Sequence, residues 1–151
     1  MIPLVNDLTA RLNALEKDLI NVFTHINRIK KSNSVSRTQI RWLQRASLHF
    51  SRDSHKVTEN LDELKEYGLP MKFQNELMQH KKNIEIEWAY IIRHVSLYGN
   101  SSLDKQISNE STNISKIKEE LESFERWLKS SIAVVENLKK FVIKIKELSA
   151  A

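Results

Sequence analysis

"LVNDLTARLNALEKDLINVFTHINRIKK", residues 4–31, decides how the rest of the chain is read. Its apolar residues Val5, Leu8, Leu12, Leu15, Leu19, Val22, Ile26 and Ile29 recur alternately three and four positions apart, the spacing that lines one face of an α-helix. Held over about four heptads, so narrow a stripe is a seam for a partner helix rather than the broad face of an ordinary surface helix. The stretch therefore predicts a long helix that must pack against others.

Working outward, the helix breakers are scarce: two Gly and two Pro, at Gly68, Gly99, Pro3 and Pro70. Three of them fall where the apolar spacing stops, so punctuation and periodicity mark the same boundaries. A second helix opens at "SRTQ", residues 36–39, where Ser36 and Gln39 can form a capping box, and follows Ile40, Leu43, Ser47, Phe50, Ser54, Val57, Leu61 and Leu64. Gly68 suits the left-handed position after its end, and Pro70 bars continuation while suiting the first turn of a third helix. That helix carries Leu77, Ile84, Trp88, Ile91, Val95 and Tyr98, and Gly99 closes it. The fourth segment keeps the lattice from Leu103 through Leu121, Leu128 and Val135 to Ile145.

Helices are thus expected over about 4–31, 36–67, 70–98 and 103–149, with a break or bend near 108–113, where "SNESTNIS" competes with helical hydrogen bonding. Short connections favour antiparallel neighbours. The predicted fold is all-α: one domain over residues 1–151, an antiparallel up-down bundle of three to four long amphipathic helices with coiled-coil-like heptad packing, the last helix longest.

Composition sets the outer bounds. A chain of 151 residues, 40% hydrophobic and 28% charged, has the make-up of a globular domain. Without cysteine it has no disulfide, no thiolate zinc site and no cysteine nucleophile. The start lacks a basic region before an apolar core, and no apolar run approaches the roughly 18 residues of a membrane span. These features point to an intracellular, cytoplasmic protein.

Catalytic constellations are missing from the pattern. None of His25, His49, His55, His80 and His94 has an acidic residue three positions before it, so the Glu-x-x-His pairs of a di-iron bundle do not occur. There is no HExxH, no Gly-rich phosphate loop and no G-x-S-x-G elbow. No catalytic residue, metal ligand or cofactor is expected, and the chain reads as a non-enzymatic interaction module or scaffold.

Two surfaces are candidates for contact with partners. The first is the end "VVENLKKFVIKIKELSAA", residues 134–151. A continuous fourth helix of about 70 Å would outrun its neighbours, leaving Val135, Leu138, Phe141, Val142 and Ile145 as an apolar seam for a partner helix or a second copy of the chain. Trp42 and Trp127 each lie one position off the lattice, where an aromatic either widens the core or anchors a partner.

The second candidate is basic. The stretch "RIKKSNSVSRTQIRWLQRAS", residues 28–47, is dense in Lys and Arg, and Arg37, Arg41 and Arg45 stand four apart, extended by Arg52 and Lys56. Cations late in a helix complement its dipole, whereas those at the start of the second helix oppose it, so local stability does not account for this ridge. With a net charge of +5 and a pI near 9.4, the ridge suits an acidic protein surface first and an anionic membrane second. No zinc finger, aromatic sheet or helix-turn-helix pattern supports nucleic-acid readout.

"ELESFERWLKSSIAVVENL", residues 120–138, with Phe124, Trp127, Leu128 and Val135, resembles the first helix of a spectrin-type three-helix repeat. That resemblance implies a cytoskeletal spacer or adaptor, a monomer that leans on flanking repeats for stability.

Overall fold

The computed structural model describes residues 1–32, 36–99 and 114–150. Within them the chain is all-helical, as the periodicity predicts: α1 (Ile2–Lys31), α2 (Arg37–Lys65), α3 (Met71–Gly99) and α4 (Ile114–Ala150). The predicted break near 108–113 and the segment from Leu103 onward to residue 113 lie outside the described residues.

Each boundary has a local cause. Pro3 sits in the first turn of α1, where its missing N–H costs nothing, so the helix starts at Ile2 instead of Leu4. Ser36 caps α2: its hydroxyl accepts from the Gln39 N–H at 3.2 Å, and the Gln39 side-chain oxygen accepts from the Ser36 N–H at 2.9 Å. Ser36→Ala removes one half of that box and should lower thermal stability by about 1 kcal/mol. At the other end the N–H groups of Glu66 and Tyr67 bond back to Glu63 and Leu64, and Gly68 takes a φ of 66°, a conformation side chains strain to adopt. Pro70 lies just before α3 rather than in its first turn; its carbonyl accepts from the N–H groups of Phe73 and Gln74.

The helices form a closed ring in which α1 packs on α2 and α4, and α3 packs on α2 and α4. Bridging side chains give their directions. Glu16 and Lys30 of α1 meet Lys139 and Glu125 of α4, so one helix descends as the other climbs. Asp62 and Phe50 of α2 meet Lys81 and Trp88 of α3, and Glu76 and Glu87 of α3 meet Lys144 and Ser130 of α4, with the same reversal. The bundle is therefore up-down-up-down.

All four helices feed one core. In α1 the buried residues are the eight of the sequence stripe, from Val5 to Ile29. Opposite them stand Leu43, Phe50, Val57, Leu61 and Leu64 of α2, Leu77, Ile84 and Trp88 of α3, and Leu121, Phe124, Leu128, Val135, Leu138, Phe141, Val142 and Ile145 of α4. Trp88 meets Phe50 edge to face at a centroid distance of 5.8 Å. Small polar residues fill remaining core positions: Ser54, whose hydroxyl donates to the Ser51 carbonyl at 2.7 Å, and Ser131.

The burial of α4 overturns one expectation. Val135, Leu138, Phe141, Val142 and Ile145 do not form a projecting seam; each is at most 2% exposed. Phe141 and Val142 are buried side by side, and the Phe141 ring lies against those of Phe73 and His80, at 6.4 and 5.0 Å. The physical reason is antiparallel register: Lys144 pairs with Glu76 of α3, so this end of α4 runs beside the first turns of α3 instead of past them. Among the described residues, Ile143 and Leu148 remain as the exposed apolar side chains there.

Candidate functional site: the outer face and flanking groove of α2

With the tail taken up in the core, α2 carries the remaining candidates. Arg41, Arg45, Arg52 and Lys56 are all exposed along its outer side; the side chain of Arg37 lies outside the described residues. Among the described residues none of these four enters an ion pair. Six cations elsewhere do pair with carboxylates: Arg11 with Asp7, Lys30 with Glu122 and Glu125, Lys81 with Asp62 and Glu85, Lys129 with Glu125, Lys139 with Glu16, and Lys144 with Glu76. Hydrogen bonds and the attraction of its carboxylate partners hold the Lys30 ammonium above its ordinary range. The basic pole read from "RIKKSNSVSRTQIRWLQRAS" is thus partly cancelled, because the start of α4 brings Glu122 and Glu125 to Lys30.

The sequence reading passed over Leu48. It stands three positions after Arg45 and four before Arg52, on the same outer line, and is 57% exposed. Its three- and four-residue spacing from the arginines was the available signal. The line Arg41, Arg45, Leu48, Arg52 combines three fixed positive charges with one apolar contact.

The two flank tryptophans differ. Trp127 is half-buried against the core, with its ring 6.1 Å from Phe124, so it widens the packing of α4. Trp42 is 41% exposed and lies over the His25 imidazole of α1 at 4.1 Å. Burial, with the nearby Arg28 charge, holds the His25 pKa below its ordinary value, which disfavours the charged ring beside Trp42. Its Nε2 is buried without a hydrogen-bond partner among the described residues.

Beside Trp42 a groove of about 460 Å³ opens between α1 and α2, lined by Asp18 of α1 and by Trp42, Arg45, His49 and Asp53 of α2. Asp18 from α1 and Asp53 from α2 both line it. Burial, then hydrogen bonding with Asp53 and the like charge of that residue, push the Asp18 carboxyl above its ordinary value, while His49 and Lys17 pull it down. No sequence signal announced this groove, since its members are far apart in the chain and meet only through the rotation of α2 against α1. Among the described residues no group of three or more His, Asp or Glu side chains is placed to hold a metal ion, and no helix is long and apolar enough to cross a membrane.

Four helices share the core here, where a spectrin-type repeat would pack three. No family model, no curated protein and no solved structure matches the chain.

Proposed function

We propose that the protein is a non-enzymatic interaction module that docks an acidic protein surface, a partner helix foremost, on the outer face of α2. The observation that carries this reading is the row itself: Arg41, Arg45, Arg52 and Lys56 are exposed along one side of α2 with the exposed Leu48 between them, and none of the four has an ion pair among the described residues. Exposed cations of this kind raise the association rate and orient an acidic partner, and Leu48 adds an apolar contact at the centre of the line.

The runner-up is a peripheral membrane module that uses the same ridge. What favours it is the pairing of exposed Leu48 and Trp42 with the arginines, since apolar and aromatic side chains enter the interface while cations meet the headgroups.

The test is a titration of the full chain with a Glu-rich amphipathic helical peptide and, separately, with anionic vesicles, each at about 0.1 M and about 0.5 M salt. Changing Arg41, Arg45 and Arg52 together to Glu should weaken peptide binding by at least about tenfold. The same reversal at the exposed Lys65, Lys140 and Lys146 should leave most of it. Equal losses from the two triple variants would reduce the ridge to bulk charge, and binding of vesicles but not of peptide would move the function to the membrane reading.

A further inference from the structure

Three of the four helix seams are crossed by opposite charges. Lys30 and Glu16 meet Glu125 and Lys139 between α1 and α4, Lys81 meets Asp62 between α2 and α3, and Lys144 meets Glu76 between α3 and α4. The α1–α2 seam is different. Among the described residues it has no cross-helix ion pair, and at its middle two like charges, Asp18 and Asp53, face each other across the open groove.

Two carboxyl groups can share a hydrogen bond only when one of them is protonated, because a carboxylate accepts and cannot donate. With both ionised, the pair repels in a partly desolvated groove where water screens it incompletely. Among the described residues, the charged or titratable groups that face the pair are Lys17 on α1 and Arg45 and His49 on α2, and none from α3 or α4 lines the groove. Lys17 and His49 favour the ionised form of Asp18, but burial and Asp53 outweigh them.

On either side of the pair the seam is tied by groups that do not depend on this proton. Towards one end Asn60 donates to Asp7 at 3.2 Å, and Arg11 donates to the Lys56 carbonyl at 3.3 Å. Towards the other end Trp42 lies on His25.

We propose that Asp18 and Asp53 make the α1–α2 seam a proton-dependent joint, closed by a shared proton in mildly acidic solution and loosened by carboxylate repulsion as the pH rises. The sign is opposite to that of a carboxylate in an ion pair. A carboxyl whose pKa is higher in the folded chain binds a proton more readily there, so its contribution to stability is complete at low pH and is lost as pH climbs through the folded value. The joint acts on α2, the helix that bears the basic face, but it exists whatever docks there.

The test is the thermal midpoint of the full chain and of Asp18→Asn and Asp53→Asn variants at two conditions, pH about 4.5 and about 7.5, one acidic and one near neutral. Asn supplies the donor that the shared proton otherwise provides, so each variant should melt a few degrees above the parent at the higher pH and close to it at the lower. Glu147→Gln, which removes an exposed carboxylate from α4, should not produce that convergence. A midpoint at the higher pH equal to or below that of the parent, or a difference that does not change with pH, would overturn the joint. If neither Asn variant folds, a carboxyl ¹³C titration of Asp18 in the unchanged chain decides: a midpoint above that of aspartate in an unstructured peptide supports the joint, and one at or below it refutes it.

Discussion

Leu138→Asp prevents the bundle from folding, and Leu138→Ala lowers its stability by about 2–5 kcal/mol. Leu138 is fully buried, and its neighbours on the same face of α4, Val135, Val142 and Ile145, are buried with it. Truncation to Ala removes apolar area and leaves a cavity that a ring of four packed helices closes only in part. Aspartate adds an ionised group with no partner in the core, a cost that a chain of this size does not survive. For a chain of this length each kcal/mol moves the midpoint by roughly 2–4 °C, so Leu138→Ala should melt about 4–20 °C below the parent by circular dichroism. An unchanged midpoint would mean that the end of α4 is a free docking seam after all.

The second large effect is at Trp88. It is 4% exposed, and its ring meets Phe50 of the neighbouring helix edge to face, so Trp88→Ala should cost about 3–5 kcal/mol. Trp88→Phe should cost much less. It keeps an aromatic pair worth about 0.5–1.5 kcal/mol and removes the indole Nε1–H, a buried donor with no partner among the described residues. The checking measurement is chemical denaturation of both variants with the slope compared to the parent. Equal losses for the two would show that the volume of the indole, not its aromatic contact, holds this layer of the core.

The fold was legible where a residue's role is set by its neighbours in the chain. The α1 stripe, the Ser36 capping box and the left-handed Gly68 were each predicted from a handful of adjacent residues, and each is a local device. The basic line of α2 was legible for the same reason, because i to i+4 spacing places Arg41 and Arg45 together whatever else the chain does. The fate of the α4 end was not. Its periodicity said that one face is apolar, but a helix face reads the same whether a neighbouring helix covers it or solvent does.

The candidate site divides in the same way. Leu48 could have been added to the arginine line from spacing alone, whereas the meeting of Asp18 with Asp53, or of His25 with Trp42, could not. By itself, the sequence determined that this chain makes long helices, which face of each helix is apolar, and that α2 carries a row of cations. Tertiary structure alone decided that the α4 stripe is covered from within, which cations find carboxylates, and that two aspartates oppose each other across α1 and α2. The reason is physical: helix formation and side-chain spacing follow from bonds between residues a few positions apart, while the rotation and register of one helix against another are chosen by the fit of the whole core.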